Sequence, residues 1–194
     1  MSKKIVLKKG LNIPIAGESE LRVSKAIAPS VVAVCPTDFK GLLPRLLVRE
    51  GDSVLCGSPV IADKKNADIL LCSPVSGTVK EVVRGEKRKL LEVQIKTDGK
   101  QESIDFGKKE VSALSADEVK NALLTSGLWT SIIQRPYGII ADPTQRPDAI
   151  FVSAFSTAPL AADVDFTCKD EIKDIQTGID ALTKLSDKGV VVSY

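Results

Sequence analysis

The sequence predicts a two-part chain: a small β barrel or sandwich over residues 1–110, followed by an α/β domain over residues 111–194. Up to residue 110, short β-rich runs alternate with turns rich in glycine, proline or charge, and no helical period is visible. At about residue 112 a helix-capping motif appears and the periodicity changes. The net charge changes as well, from +6 in the first part to −4 in the second, which indicates two units with different surroundings.

The first part contains seven short β-rich runs, which we predict to be strands. In chain order they are KIVLKK, SVVAV, RLLV, SPVIA, DILLC, GTVKEVV and KLLEVQI. Turn sequences such as REGD, LCGSP, KKNAD and RGEKR separate them. Many short strands at this spacing are typical of a small barrel or sandwich.

The second part is predicted to open with a helix. Ser115 and Glu118 have the spacing of a capping box, in which each side chain satisfies a free backbone amide of the other residue. Gly127 offers a stop, since glycine readily adopts the left-handed conformation that ends many helices. The expected apolar face of this helix carries Val119, Ala122 and Leu123.

A proline-rich connector over residues 134–148 leads into PDAIFVSAFSTAPLAADV, predicted as a buried strand running into a loop of small residues. Residues 176–185 are predicted as a helix with Ile179, Leu182 and Leu185 on one side, and GVVVSY as a second buried strand. Strand, loop, helix and strand form the opening of a parallel sheet. Because one such unit cannot cover both sheet faces, we expect the second domain to be cut short. A small sheet edged by the terminal strand is the alternative.

Composition excludes several kinds of site. The chain has no histidine, which removes Ser-His-Asp and Cys-His nucleophiles and histidine metal sites. Without a CxxC pair, an iron–sulfur cluster or zinc knuckle is not expected, and without an export signal the thiols are expected to be free. No apolar run approaches the roughly 20 residues that cross a bilayer. The four cysteines are Cys35, Cys56, Cys72 and Cys168.

Residues 48–83 have the turn-strand-turn pattern of a domain that carries biotin or a lipoyl group on a lysine. In such domains the modified lysine lies eight residues before the proline of a P-x-x-G-x-V turn, which here begins at Pro74. Counting back eight residues reaches Asn66, whereas Lys64 and Lys65 are displaced, and a slip of one residue in a hairpin reverses the side-chain direction. We therefore expect a carrier-like barrel-sandwich fold without its cargo, and lysines on an exposed tip.

The resemblance becomes specific when the motifs are taken together. VREGDSVLCGSPV, DKKN, SPVSGTV, RGEKR, SADEVKNALLTSGLWT, QRPYG and IFVSAFSTAPLAAD follow in this order along nearly the whole chain. Together they resemble the N-terminal part of the A subunit of the bacterial Na⁺-translocating NADH:quinone oxidoreductase, a respiratory sodium pump. That family's polypeptide is more than twice as long, which agrees with an incomplete second domain.

The resemblance implies a peripheral protein on the cytoplasmic face of the bacterial inner membrane, bound there through the other subunits of the complex. NADH, the flavins, the iron–sulfur cluster and Na⁺ are handled by those other subunits, and this chain is expected to carry no cofactor of its own. The isolated chain is not expected to be catalytic. The resemblance implies ubiquinone as a possible ligand of this chain.

The second domain also resembles the flavin- and NADH-binding domain of complex I and the equivalent subunit of Rnf-type complexes. Those relatives use a glycine-rich phosphate loop and an acidic N-A-x-E-x-E-P loop. Residues 153–159 read SAFSTAP, which keeps Ala154 and Pro159 but neither glutamate, and no G-x-G-x-x-G occurs. We interpret the domain as the start of a Rossmann-like α/β fold whose flavin site is a relic. An uncharged loop suits a neutral quinone, with Phe155, Ser156 and Thr157 as candidate lining residues.

Other residues have a structural and a functional interpretation. The quinone candidates have the alternative of packing on the remainder of the domain. Trp129 and Tyr137 flank the inter-domain connector and are expected in core or hinge packing. The basic residues are expected on solvated turn tips, or as a docking surface for acidic sister subunits or lipid headgroups; nucleic acid is not expected. This basic set is Lys64, Lys65, Arg84, Lys87, Arg88 and Lys89.

Two other functions stay open at this stage. The first is a flavin- and NADH-binding module of the Rnf or complex I type. The second is a lysine-modified carrier domain. Bound flavin would colour the first yellow, and an adduct on Lys64 or Lys65 would raise the mass of the second.

Overall fold

The computed structural model describes residues 15–17, 20–158 and 160–193. The first predicted strand, KIVLKK, lies outside the described residues. The first part is built on two antiparallel sheets. One has four strands in the order β1-β7-β6-β3 and the other has three in the order β2-β4-β5. The strands are β1 (Val31–Val34), β2 (Pro44–Leu46), β3 (Ser53–Val54), β4 (Pro59–Asp63), β5 (Leu70–Cys72), β6 (Gly77–Arg84) and β7 (Leu90–Thr97).

Six of the predicted strands correspond to strands in the structure, and β3 is an additional strand of two residues. Both sheets bury their β-branched residues in one core. Val60 and Ile61 of β4 are fully buried, as are Val93 and Ile95 of β7. Apolar side chains on both inner faces are removed from water together, each contributing about 1.5–3 kcal/mol. This shared burial holds the two sheets face to face.

Gly77 shows why the P-x-x-G-x-V turn needs glycine. A Cβ atom built on Gly77 would lie 2.1 Å from the backbone oxygen of Lys96 on the neighbouring strand. No side chain can occupy that space, and the strand-to-strand approach depends on its absence. The turn therefore serves the β6–β7 pairing whether or not a lysine is modified nearby.

The helix predicted after Ser115 is present as α1 (Ala116–Thr125). The Ser115 Oγ accepts a hydrogen bond from the Glu118 amide at 3.3 Å, and Glu118 accepts one from the Ser115 amide at 2.9 Å. The capping box is thus confirmed. The predicted apolar face was partly wrong: Val119 is buried, but Ala122 is exposed and Leu124 is buried in its place.

A short 3-10 helix, Leu128–Ser131, follows α1. Trp129 is 5% exposed, and its indole Nε1 donates to the Ala141 oxygen at 2.8 Å, which confirms core packing. Tyr137 is 65% exposed, so the prediction of core packing is wrong for this residue. The connector, for which no strands were predicted, contains a hairpin of β8 (Ile133–Gln134) and β9 (Ile139–Ile140).

The last part contains the predicted parallel strand pair, β10 (Ile150–Ser153) and β11 (Val190–Ser193). Between these strands lie α2 (Val164–Cys168), which was not predicted, and α3 (Ile172–Thr183), which begins four residues before the predicted helix. Leu185, which was predicted to extend the apolar side of this helix, lies beyond its end and is buried, whereas Ile179 and Leu182 are half-buried.

The prediction that both parallel strands are buried is wrong. Phe151 is 74% exposed and Val191 is 46% exposed, and along β10 half-buried and exposed residues alternate. Within the described part of the chain, the pair is therefore covered on one face only. Its apolar composition is that of a parallel strand covered on both faces.

Within the same described residues, no helix is both long and apolar enough to cross a membrane.

Candidate functional site

The described residues form a cavity of about 460 Å³ where the sheets meet the end of α1; we call it the seam pocket. Its walls come from the two sheets of the first part, from the segment of the first part that follows β7 and from the 3-10 helix after α1. The Cys56 amide donates to the Glu102 oxygen at 2.9 Å, and the Ile104 amide donates to the Cys56 oxygen at 2.9 Å. These two bonds hold the segment after β7 along the first part, so that Ser103 and Phe106 become one wall.

Gly127 brings the second part into contact with the first. Its φ is +78°, and a Cβ atom there would lie 2.8 Å from the Cys72 Sγ and 3.2 Å from the Leu70 oxygen. Glycine is required for both the conformation and the approach. Because the chain turns at this point, Leu128, Thr130 and Ser131 reach the pocket.

The seam pocket is neutral and largely apolar. Among the described residues that line it, none is Asp, Glu, Lys or Arg. Phe39, Leu71, Phe106 and Leu128 supply apolar surface, and several hydroxyl groups lie among them. Two of these hydroxyls donate to backbone oxygens of their own helical turns, Ser126 to Ala122 at 2.7 Å and Thr130 to Gly127 at 2.9 Å, so that their oxygens can still accept.

Two thiols also line the pocket. Burial, and to a lesser extent the nearby Cys56, raises the pKa of the Cys72 thiol to about 11. Cys72 is therefore protonated and neutral at neutral pH. Cys56 is half-buried, and its Sγ donates to the Pro74 oxygen at 3.4 Å. The pocket thus offers weak donors and acceptors but no fixed charge.

A second, larger cavity of about 1400 Å³ lies between α1, the β8–β9 hairpin and the β10–α3–β11 unit; we call it the distal cleft. Its lining includes charged side chains, and two cations are already paired: Arg146 with Asp187 at 2.6 Å, and Lys188 with Asp148 at 2.7 Å. The cleft exceeds the roughly 300–1,000 Å³ of small-molecule sites, whereas the seam pocket falls within that range. The seam pocket is therefore the better candidate for a small neutral ligand.

The candidate quinone residues of the sequence lie elsewhere. Phe155, Ser156 and Thr157 follow β10 on an exposed loop and line neither cavity. The Ser156 Oγ accepts a hydrogen bond from the Ala158 amide at 3.3 Å, which is a bond within the loop. Pro159 lies outside the described residues. Quinone lining by these three residues stays a prediction.

The basic residues lie on the tips of two hairpins that belong to different sheets. Lys64 and Lys65 are exposed in the loop between β4 and β5, as predicted for an exposed tip. The other four are exposed at the turn between β6 and β7, where the Lys89 amide donates to the Glu86 oxygen at 3.1 Å. These four are Arg84, Lys87, Arg88 and Lys89. Docking through either tip stays a prediction.

At the predicted carrier position, Asn66 is half-buried, and its Oδ1 accepts from the Asp68 amide at 3.1 Å. The side chain that occupies the place of the carrier lysine thus organises the turn.

The sequence did not point to the lining residues Phe39, Phe106 and Leu128. Leu128 belongs to the SGLWT motif that carried the family resemblance, and this was the available signal. The other two lie far from it in the sequence and join it only through the fold.

Comparisons with known proteins agree in both parts of the chain. Residues 5–98 match the family model of the NqrA N-terminal barrel-sandwich hybrid domain, and residues 114–194 match that of the NqrA second alpha/beta domain. These matches confirm the predicted fold class of a barrel-sandwich domain followed by an α/β domain. The boundary between residues 110 and 111 stays a prediction.

Curated relatives include the A subunit of the Na(+)-translocating NADH-quinone reductase from Yersinia pseudotuberculosis, which is 39% identical over 193 residues. Its counterpart of the same name from Neisseria meningitidis is 38% identical over 191 residues. These alignments cover 98% and 97% of this chain but 43% and 42% of the relatives. The chain therefore spans less than half the length of these curated relatives.

Proposed function

The chain belongs to the NqrA family, the A subunits of the Na⁺-translocating NADH-quinone reductases. We propose that it acts as a peripheral subunit of such a complex, and that it binds quinone without carrying a redox cofactor of its own. Its partners in this proposal are the other subunits of the complex, which hold NADH, the flavins, the iron–sulfur cluster and Na⁺. Its location is the cytoplasmic face of the inner membrane.

The observation that carries quinone binding is the neutral, apolar seam pocket. A quinone ring has no charge and two carbonyl oxygens, so it needs apolar walls and a few weak donors. The seam pocket supplies phenylalanine and leucine side chains, hydroxyl groups and a protonated thiol at Cys72. A flavin or dinucleotide needs a phosphate-binding run of backbone amides, and the uncharged SAFSTA segment after β10 lacks the acidic groups of the flavin-binding relatives.

Two phenylalanines provide a matched test of this site. Phe106 lines the seam pocket and is 49% exposed, whereas Phe155 lies on the loop proposed from the sequence and is 50% exposed. Replacing either one with alanine removes a similar exposed ring. Trp129 is the only tryptophan in the sequence. Its side chain lines the distal cleft, whereas its chain neighbours Leu128 and Thr130 line the seam pocket, so its emission reports binding in either cavity and the phenylalanine variants locate the site.

The experiment titrates the protein with a short-chain, water-soluble ubiquinone while Trp129 emission is recorded. We expect Phe106→Ala to weaken the Kd about tenfold, because loss of one aromatic contact removes about 1–1.5 kcal/mol. Phe155→Ala should bind like the unchanged protein. Weakening only in Phe155→Ala would move the site to the loop, and no quenching in the unchanged protein would reject quinone binding.

Docking on the membrane sector is proposed to use the exposed basic tips. The cytoplasmic leaflet and acidic protein surfaces both attract clustered lysine and arginine, by about 1 kcal/mol for each residue near an anionic surface. The β6–β7 tip concentrates four such residues within six positions, compared with two on the β4–β5 tip. The former is therefore the stronger dock.

Charge reversal separates the two tips. In the assembled complex, Arg84→Glu combined with Lys87→Glu and Arg88→Glu should reduce copurification of this protein with a tagged sister subunit. Lys64→Glu combined with Lys65→Glu should reduce it less. Normal copurification of both variants in low salt, where surface attraction is least screened, would contradict docking through these tips.

A further inference from the structure

The edge strand β2 and its two flanking residues present an outward face of leucine and arginine. The first and last residues of β2 are half-buried, whereas Arg45 between them is exposed, and the flanking Leu43 and Leu47 are 47% and 42% exposed. Pairing with β4 continues over both leucines. The Leu43 oxygen accepts from the Lys64 amide at 2.8 Å, and the Leu47 amide donates to the Val60 oxygen at 2.9 Å. Since side chains alternate across a strand, the three exposed residues share one face.

The β4–β5 tip lies at one end of this face. The Leu43 and Lys65 amides both donate to the Asp63 Oδ1, at 3.1 Å and 3.2 Å. Asp63 is 7% exposed, so its carboxylate serves these amides and is withdrawn from the surface. The side chains of Lys64 and Lys65 stay exposed beside Leu43.

The β8–β9 hairpin adds an aromatic ring next to this face. The Lys40 Nζ donates to the Tyr137 oxygen at 2.8 Å. One residue further along, a Cβ atom on Gly41 would lie 3.1 Å from the Ile139 Cγ2, so the loop before β2 packs against the hairpin. Tyr137 is 65% exposed in the hairpin turn, where Arg135 is exposed as well. We call the area formed by residues 40–47, the β4–β5 tip and residues 135–137 the β2 surface.

The β2 surface carries unpaired positive charge. With its adjoining turns counted, cations outnumber carboxylates by six to four over residues 38–52, 64–68 and 135–137. Two of the carboxylates, Glu50 and Asp52, accept hydrogen bonds from backbone amides. Within the described residues, none of the six cations forms a salt bridge. These cations are therefore available to an anionic partner.

We propose that the β2 surface docks on the anionic headgroups of a lipid bilayer, with Tyr137, Leu43 and Leu47 at the interface. Tyrosine is enriched at the level of lipid headgroups, and leucine side chains enter the boundary with the acyl chains. Lysine stems lie along apolar surface while their ammonium groups reach phosphate. This proposal rests on the proposed function, because it names the bilayer as the partner of the β4–β5 tip.

The β6–β7 tip lacks the apolar half of this arrangement. It has four cations, but none of the exposed large apolar residues lies in β6, in β7 or in the turn between them. Charge without apolar side chains suits an acidic protein surface, so the β6–β7 tip stays the dock for a sister subunit. The two tips thus face different partners.

The test measures cosedimentation of the protein with vesicles of phosphatidylethanolamine and phosphatidylglycerol in equal parts. Phosphatidylcholine vesicles should bind much less. Lys64→Gln combined with Lys65→Gln should lower the partition coefficient about 25-fold, since each cation near an anionic surface contributes a factor of about five. Leu43→Ala combined with Leu47→Ala should lower it about tenfold. Ile172→Ala is the matched control: Ile172 is 66% exposed on α3, and its replacement should leave the partition coefficient unchanged.

Insertion at the interface has a separate readout. The emission of a Tyr137→Trp variant should be quenched by dibrominated phosphatidylglycerol in the same vesicles. Trp129 is 5% exposed and should contribute little to this quenching, as the unchanged protein shows directly. Trp129 emission also shows whether the other variants are folded. Should the leucine variant fail to fold, the lysine variant and the quenching decide.

Equal partition into both kinds of vesicle would overturn the proposal, as would an equal loss in Ile172→Ala and the leucine variant. Binding that depends on the lysines, but neither depends on the leucines nor quenches position 137, would also overturn it and would favour an acidic protein as the partner. Copurification with a sister subunit separates the two proposals. Copurification without vesicle binding rejects the bilayer dock alone, and vesicle binding without copurification rejects docking on the complex alone.

Discussion

Gly127 joins the two parts of the chain, and its replacement by alanine tests the seam directly. The new Cβ would lie 2.8 Å from the Cys72 Sγ and 3.2 Å from the Leu70 oxygen, in a backbone conformation with φ of +78°. The left-handed conformation costs a residue with a side chain about 1–2 kcal/mol. Overpacking a tight contact adds about 1–3 kcal/mol. We therefore expect Gly127→Ala to destabilise the protein by about 2–5 kcal/mol.

Gly138 is the matched control for this substitution. Its φ is +65°, but nothing lies within 4 Å of the position that a Cβ would occupy. Gly138→Ala should therefore show only the conformational part, about 1–2 kcal/mol. The difference between the two variants isolates the steric contact with the first part of the chain.

The assay is urea unfolding followed by the emission of Trp129, which is 5% exposed. A shift of the midpoint at constant slope measures the loss of stability. The double variant Gly127→Ala with Cys72→Ala adds a second criterion, because removal of the Cys72 Sγ should recover part of the loss as a coupling energy between the two positions. Equal destabilisation by Gly127→Ala and Gly138→Ala, together with no recovery in the double variant, would refute the close contact.

Four further predictions concern local structure and cofactors. Lys87 and Arg88 have φ of +53° and +60° in a turn that resembles type I′. Arg88→Gly should therefore raise the stability measured by thermal unfolding by about 0.5–1 kcal/mol. Lys89→Gly is the control, and it should lower the stability because the φ of Lys89 is −59°. Ser115→Ala should lower stability by about 1 kcal/mol. Hydrogen bonds from Ser115 lower the pKa of Glu118. The contribution of the Glu118 carboxylate to folding stability is therefore fully present above the ordinary glutamate pKa, and it is lost as pH falls through the lowered value. Acid unfolding with a Glu118→Gln control measures this loss. The purified protein should show no flavin absorption and should have an unmodified intact mass; a yellow colour or a lysine adduct would favour the alternative functions.

Elements with a strong local signal could be predicted from the sequence. Helix α1 follows from Ser115 and Glu118, whose reciprocal hydrogen bonds depend only on residues three positions apart. The longer strands follow from β-branched runs bounded by glycine turns. The register of β6 on β7 depends on Gly77 and its contact with a strand that is distant in the sequence, and no local pattern encodes that contact.

Short elements were harder to predict, because their signal is one or two hydrogen bonds. Helix α2 has five residues, and its start is set by the Asp163 carboxylate, which accepts from the Phe166 amide at 2.9 Å. Asp163 is a recognisable N-cap in the sequence, but the residues after it do not repeat apolar positions at helical spacing, and so the helix was not predicted. The β8–β9 hairpin has two residues in each strand, so only the pairing of Ile133 with Ile140 and of its neighbour defines it.

The burial of β10 and β11 was overestimated for a different reason. A run of Val, Ile and Phe indicates a strand that can be buried on both faces of its sheet. The run does not show which part of the protein would cover either face. The seam pocket could not be predicted for a related reason. Its lining residues come from the sheets of the first part, the segment after β7 and the turn after α1, and only the tertiary structure brings these segments together.

Because these segments meet at Gly127, a substitution there should change both the stability of the protein and its binding of quinone. A substitution of Phe106, which forms the exposed side of the pocket, should change quinone binding with little effect on stability. The Gly127→Ala variant must move the 3-10 helix that carries Leu128 and Thr130, and so it should weaken quinone binding as well as unfold at lower urea. Phe106 is 49% exposed and contributes little to the core, so Phe106→Ala should weaken binding with a loss of stability below about 1 kcal/mol. If both variants lost stability and binding in the same proportion, weaker binding would reflect partial unfolding, and the pocket would lose its status as a separate site.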